Sequence, residues 1–140
     1  MVKVFTSKTQ KIGQIGEDLA VMFLVKRGFE IIERNHTRKW GEIDIVAKKD
    51  GRLVFFEVKS VSCKIVNNVP RVTINPEENL HPNKLKRLGR VIQTYLAEHH
   101  LVGCEFESNA VIVFIDLYEK KSVIKIIKDI FATNVMSFRK

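Results

Sequence analysis

Residues 40–59 of this 140-residue chain contain two short apolar segments separated by an Asp-Gly pair. An Asp-Gly between two such segments is a strong signal for a β-hairpin, because both residues tolerate the positive φ of a tight hairpin turn. Strand side chains alternate between two faces, so Glu42 and Asp44 should share a face of the first strand and Glu57 and Lys59 a face of the second. Three carboxylates and one ammonium therefore interrupt two strands that otherwise look like core.

These charges require an explanation, because a desolvated charge is costly unless it is paired or binds a metal. One explanation is structural: Glu57 and Lys59 could form an ion pair at a strand end, and Glu-x-Lys is common by chance. The other is functional. Asp44 and Glu57 stand at the ends of adjacent predicted strands beside a lysine in a basic chain, which suits a divalent cation held over a phosphate.

Four motifs in order carry a family resemblance. Gly41-Glu42-Ile43-Asp44 followed by Phe56-Glu57-Val58-Lys59 resembles the metal-binding core of the PD-(D/E)xK nuclease superfamily. With Gly-Glu-Asp-Leu-Ala at 16–20 and Gly-Phe-Glu-Ile-Ile-Glu-Arg-Asn at 28–35, the chain resembles the YraN-like uncharacterised bacterial protein family, which is similar in core to archaeal Holliday-junction resolvases. Ile43 stands where the superfamily pattern has proline, and the narrower family has an apolar residue there too.

The resemblance implies an α/β restriction-endonuclease-like fold with a mixed central β-sheet flanked by α-helices. It also implies a metal-dependent endonuclease that hydrolyses phosphodiester bonds in nucleic acid, DNA first and branched DNA included. Lys59 would orient a water or stabilise charge on phosphorus, and Glu42 would lie outside the direct ligands. The implied ligands of one or two Mg²⁺ or Mn²⁺ ions are Asp44, Glu57, Glu17 and, through its carbonyl, Val58.

The formal charge of +8, from 24 Lys and Arg against 16 Asp and Glu, favours a polyanionic partner, nucleic acid first. A basic protein with no nucleic-acid role remains the alternative. Cys63 and Cys104 lie far apart with no zinc-binding spacing, so the cytoplasm is the default compartment. The longest apolar run, residues 19–25, is too short to span a bilayer, and no signal-peptide pattern precedes it, so we expect no membrane partner.

Residues 10–27 predict a helix that ends at Gly28, after a loose segment at 1–9. Glu17 should leave this helix over partly apolar surface, either complementing the helix dipole or, as the resemblance implies, completing the metal site. The predicted buried stripe consists of Ile12, Ile15, Leu19, Met22 and Phe23. A second stripe, of small residues that would allow close approach of another backbone, consists of Gly13, Gly16 and Ala20.

Residues 29–35 predict a strand and 36–39 a turn. His36 is expected at the surface or on a phosphate, with a general base as the alternative. Trp40, just beyond, is expected in the core, with stacking on a base as the alternative. The irregular stretch that follows the second hairpin strand predicts a flexible loop over residues 60–80, a candidate flap over substrate. The alternative is a loop whose sequence has no role.

A second helix should begin near Pro82, with a buried stripe made of Leu85, Leu88, Ile92, Tyr95 and Leu96. Cations crowd its first turns, where the helix dipole is already positive, so an anionic partner is expected there. The predicted nucleic-acid contacts are Lys84, Lys86, Arg87, Arg90, Arg38, Lys64 and Arg71.

Residues 110–117 predict a strand buried on both faces, 122–127 an edge strand, and 129–140 a short helical turn with a basic tail. One nuclease-like domain over residues 1–140 accounts for this order. Two further hypotheses stay open: a non-catalytic nucleic-acid-binding module on the same scaffold, and an adaptor that dimerises through the small-residue stripe. A homodimer is compatible with both the nuclease and the binding module.

Overall fold

The computed structural model describes residues 7–73 and 81–131. In chain order the elements are α1 (Lys8–Lys26), β1 (Glu30–Arg38), β2 (Gly41–Lys49), β3 (Arg52–Ser62), β4 (Lys64–Val66), β5 (Val69–Arg71), α2 (Pro82–Glu98), β6 (Phe106–Asp116) and β7 (Lys121–Ile127).

A five-stranded sheet with the order β1-β2-β3-β6-β7 forms the centre of the molecule. β3 and β6 are parallel, and the other neighbours are antiparallel. A parallel pair requires a crossover connection, and α2 lies in the chain between β3 and β6. α1 packs on one face of the sheet and α2 on the other. This arrangement confirms the predicted fold class, an α/β protein with a mixed central sheet flanked by helices.

The β2–β3 hairpin closes where the sequence predicted. Asp50 and Gly51 are the two loop residues, with φ values of 51° and 77°. Positive φ at both central positions is the geometry of the tight turn that matches strand twist. This turn fixes the register of the two strands that carry the candidate carboxylates.

The buried stripe of α1 differs from the prediction. Ile15 is 37% exposed and Met22 is 56% exposed, while the buried positions are Ile12, Gly16, Ala20 and Leu24. A Cβ at Gly16 would lie 1.8 Å from Ser60 Oγ, so the small residues let α1 approach β3 closely. Gly16 and Ala20 are thus buried between α1 and the sheet of the same chain. The prediction that this stripe forms a dimer face is wrong for these two residues.

α2 follows the sequence pattern. All five predicted core residues are buried, together with Val91, and Trp40 is partly buried against the same cluster as predicted. His81 caps the helix by accepting from the Asn83 amide, and Pro82 occupies the first turn. Within the described residues, neither helix combines the length and the apolarity needed to cross a bilayer.

Two predicted irregular segments are ordered strands. β1 continues to Arg38, so residues 36–38 are not a turn. β3 continues to Ser62, and β4 pairs with β5, so the predicted loop over residues 60–80 is wrong for 60–62, 64–66 and 69–71. Ile65 anchors this hairpin against Ile112 and Phe114. Residues 74–80 lie outside the described part of the chain, as do residues 1–6 of the predicted loose N-terminus and residues 132–140 of the predicted tail.

The predicted alternation along β2 fails at Asp44. Ile43 packs in the cluster under α2, whereas Ile45 and Ala47 pack in the cluster under α1. Strict alternation would place all three on one face. The alternation of side chains along β2 is therefore interrupted at Asp44, the first candidate carboxylate, so that Ile43 and Ile45 point to opposite faces of the sheet.

Candidate active site

Asp44 and Glu57 lie where β2 and β3 stop pairing. The ladder between these strands ends at Ile45 and Phe56, so the two carboxylates are the next residues on adjacent strands. Beyond the ladder, the Val58 amide donates a hydrogen bond to Asp44 Oδ2 at 2.7 Å. The side chain of Asp44 thus takes over the role of a strand partner and is held rigidly at the opening of the hairpin.

The ionised form of Asp44 is disfavoured by its surroundings. Burial, followed by the negative charge of Glu57, raises the pKa of Asp44 from 3.8 to about 8. The charges of Glu42 and Glu17 act in the same direction, and the Val58 amide opposes them. Such a carboxylate ionises readily only when a cation approaches. A divalent cation with oxygen ligands would meet this condition.

Glu57 is buried, with only 7% of its surface exposed. Its Oε1 lies 2.7 Å from Lys84 Nζ, which comes from the first turns of α2. The sequence predicted Lys84 as a nucleic-acid contact and Lys59 as the neighbour of Glu57. α2 packs against β2, the strand next to β3, and this packing brings a lysine from a remote part of the chain onto the candidate metal ligand.

Glu17 is near the site but is engaged elsewhere. Its Oε1 accepts hydrogen bonds from Arg34 Nε at 3.1 Å and from Asn35 Nδ2 at 2.9 Å. Arg34 also donates to Asp18 Oδ1 at 2.7 Å. These bonds tie α1 to β1 and occupy one oxygen of the Glu17 carboxylate, which the sequence did not predict. Glu17 still lines a cleft together with Asp44.

Two clefts meet at Asp44 and Lys84. The first, of about 670 Å³, also exposes Lys59 and the N-terminal half of α1. The second, of about 530 Å³, runs between α2 and the β1–β2 connection and includes Glu42, Glu57 and Arg87. The carboxylates are therefore reachable from two sides.

A basic concavity of about 500 Å³ adjoins the second cleft, and we call it the α2 basic groove. It shares Trp40 with that cleft, and Arg90 lies over the Trp40 ring with its guanidinium carbon 4.3 Å from the ring centre. The ring thus orients a cation and is not open for base stacking on that face. The members of the groove are Lys39, Trp40, Asn83, Lys86, Arg87 and Arg90. Lys39 was missed by sequence reasoning, although its neighbour Arg38 was predicted as a nucleic-acid contact, because only the packing of α2 beside the β1–β2 connection places it in this groove.

The remaining predicted nucleic-acid contacts lie outside these concavities or have protein partners. Arg38 is hydrogen bonded through two nitrogens to the carboxylate of Glu98 on α2. Lys64 and Arg71 face each other across the β4–β5 pair. Two like charges opposite each other are unfavourable unless an anion lies between them. This pairing is compatible with a phosphate contact by Lys64 and Arg71, which stays a prediction.

His36 was expected at the surface and is buried, with 3% exposure. Its Nδ1 lies 2.6 Å from Glu33 Oε2, and its ring meets that of Tyr95 edge-on at 5.1 Å. No local signal distinguished it, because its burial depends on α2 covering β1. His36 is a packing residue at the base of α2.

The donor set fits a divalent cation in part. Asp44 and Glu57 are adjacent oxygen donors of the kind that Mg²⁺ and Mn²⁺ prefer. The amide and carbonyl of a strand residue point to the same side, so the Val58 carbonyl should face Asp44 as its amide does. Among the described residues, however, no three His, Cys, Asp or Glu side chains are grouped closely enough to hold a metal. Further ligands would have to come from Val58, water or substrate.

The fold and the site define an α/β protein with two carboxylates at the open end of a central hairpin, two lysines beside them and a basic groove adjoining. The model of "Uncharacterised protein family UPF0102" matches residues 16–117, and the chain belongs to this family. This match confirms the resemblance to the YraN-like uncharacterised family, while membership of the nuclease superfamily stays a prediction.

Relatives share this assignment along most of their length. A UPF0102 protein of Caldicellulosiruptor bescii is 35% identical over 124 residues, covering 87% of this chain and 98% of the relative. One of Moorella thermoacetica is 33% identical over 126 residues, covering 90% and 99%. The solved structure of Pyrococcus furiosus SfsA in complex with Ca²⁺ aligns with 86% of this chain and 63% of its own, at 11% identity and a TM-score of 0.34. A score this low does not establish a shared fold.

Proposed function

We propose that the protein is a metal-dependent nuclease that hydrolyses phosphodiester bonds in nucleic acid, with DNA as the first substrate to test and branched DNA included. The observation that carries the proposal is the adjacency of Asp44 and Glu57 at the open end of the β2–β3 hairpin, reached through clefts lined with cations. A structural ion pair does not need two adjacent carboxylates, whereas a hard cation over a phosphate does.

Each residue has a distinct role in this proposal. Asp44 and Glu57 bind Mg²⁺ or Mn²⁺, with the Val58 carbonyl as a further oxygen. When bound, the metal would polarise the substrate phosphate and lower the pKa of a bound water. Lys59, which lines the first cleft with Asp44, holds that water or stabilises charge that develops on phosphorus. Glu17 would join the ligands through Oε2, since both of its hydrogen bonds to β1 are made by Oε1.

The α2 basic groove supplies affinity for the substrate backbone. Its arginines and lysines adjoin the second cleft, so a strand whose phosphates lie along the groove leads to Asp44 and Glu57. Such contacts are independent of sequence and depend on salt. We place this activity in the cytoplasm, where nucleic acid is the abundant polyanion.

The test is a panel of labelled linear, flapped and four-way-junction DNAs and an RNA, each incubated with EDTA, Mg²⁺ or Mn²⁺. Cleavage should require the metal and should disappear in Asp44→Asn, which keeps an oxygen acceptor for the Val58 amide but loses the charge. Metal-independent cleavage, or equal cleavage by the variant, would contradict the assignment.

A second function is favoured by one specific observation. The Lys84 ammonium already neutralises Glu57, which is what a non-catalytic nucleic-acid-binding module on this scaffold would show. That module predicts salt-dependent binding to the same panel, no cleavage in any metal, and no Asp44-dependent heat when metal is titrated into the protein.

A further inference from the structure

The contact between Lys84 and Glu57 joins an α2 side chain to a candidate metal ligand. Nζ and Oε1 are 2.7 Å apart, a charge-assisted hydrogen bond. Glu57 has 9% side-chain exposure and Lys84 51%. The carboxylate is therefore fixed in the protein interior, while most of the lysine stem can move.

One oxygen cannot hold both partners well. A hard divalent cation binds carboxylate oxygen at about 2.0–2.1 Å for Mg²⁺, and an ammonium at hydrogen-bond distance from the same oxygen would face this cation at close range. Like charges at that separation repel strongly in a partly buried site. A metal on either oxygen of Glu57 would lie close to this ammonium, so metal and Lys84 should compete for the one carboxylate.

Lys84 has a place to move to. It lines both clefts that meet at Asp44, and a lysine carries its charge on a flexible four-carbon stem. A phosphate that enters either cleft would find the displaced ammonium within reach, next to the position where a metal would sit.

We propose that Lys84 is an exchangeable counter-ion: it neutralises Glu57 in the metal-free protein, leaves when the divalent cation binds, and then contacts the substrate phosphate. This inference rests on the proposed metal-dependent function and adds to it a second lysine besides Lys59. It distinguishes Lys84 from the other cations of α2, which line the groove and do not touch the carboxylates.

The first experiment measures metal affinity. Mn²⁺ and Mg²⁺ are titrated calorimetrically into wild type, Lys84→Met and Lys86→Met, each with and without Asp44→Asn. Lys84→Met removes the competing ammonium and keeps the stem length, so affinity should rise about tenfold or more, the scale of one hydrogen bond to a charged group. Lys86→Met removes a charge from the same helix away from Glu57 and controls for the general electrostatic effect.

The second experiment observes Lys84 directly in the wild-type chain. Reductive methylation of lysines, followed by mass spectrometry of the peptide that contains residue 84, is compared with and without Mn²⁺. Release from Glu57 should speed labelling of Lys84 by several fold, with Lys86 unchanged as the internal reference.

The outcomes separate this inference from the proposed function. Asp44-dependent heat in wild type with equal or weaker affinity in Lys84→Met, or slower labelling with Mn²⁺, overturns the exchange and leaves the metal site standing. Heat that appears only in Lys84→Met also overturns the exchange, since the lysine then blocks the site and does not leave when metal is added. Absence of Asp44-dependent heat in every variant overturns both.

Discussion

Replacing Asp44 by Asn should stabilise the metal-free protein, and increasingly so as the pH rises. The folded pKa of Asp44 is raised, so between pH 3.8 and about 8 the unfolded chain ionises while the folded chain holds its proton, and stability falls across that window. At 1.36 kcal/mol per pKa unit, the rise in the pKa of Asp44 sets an upper limit of about 6 kcal/mol on the stability that the wild type loses across this window. The ionised Asp44 keeps its hydrogen bond from the Val58 amide and some contact with water. We therefore expect the variant to be more stable than the wild type by about 2–3 kcal/mol at the high end of this window.

The assay is urea unfolding of wild type and Asp44→Asn at pH 5 and pH 8 with EDTA, repeated with Mg²⁺ or Mn²⁺. The advantage of the variant should grow between the two pH values, and metal at pH 8 should stabilise the wild type more than the variant, because only the wild type keeps both carboxylates of the site. Asp50→Asn, at the exposed hairpin turn, is the matched control for charge loss. An advantage that does not change with pH would refute the argument that burial makes ionisation of Asp44 costly.

Three further results are expected. Lys59→Ala should slow single-turnover cleavage about a hundredfold or more while metal affinity and melting temperature stay unchanged; a lower melting temperature with no cleavage to lose would make Lys59 a structural residue. Replacing Arg87 and Arg90 by Ala should weaken binding to all sequences alike and reduce the log-log salt slope, measured by fluorescence polarisation, by about two; an unchanged slope places the groove outside the interface. Gly16→Ala should lower stability by about 1–3 kcal/mol, because its Cβ would lie 1.8 Å from Ser60 Oγ. Adding Ser60→Gly to the same chain should recover most of the lost stability, as measured by denaturant unfolding. A double variant as unstable as Gly16→Ala alone would contradict this contact.

Local rules in the sequence determined the hairpin, the second helix and the family. The Asp50-Gly51 turn, the α2 stripe and the buried strand β6 each depend on residues close together in the chain, where turn chemistry and hydrophobic period are read directly. The same rules placed Asp44 and Glu57 on adjacent strands. The prediction that they stand at strand ends is wrong, because β2 and β3 continue past them and only the ladder between these strands ends there. Composition added the basic character, but not the surface that bears it.

The tertiary structure decided what each charge faces. Lys84 and Glu57 are brought together by the crossover of α2, Glu17 and Arg34 by the packing of α1 against β1, and no short-range pattern encodes either pair. The buried face of α1 passes through Gly16 and not through Met22, because close approach to β3 selects small residues over large apolar ones. Sequence periodicity reports hydrophobicity, whereas the fit between surfaces from distant segments determines which side chains are buried and which cation neutralises a carboxylate.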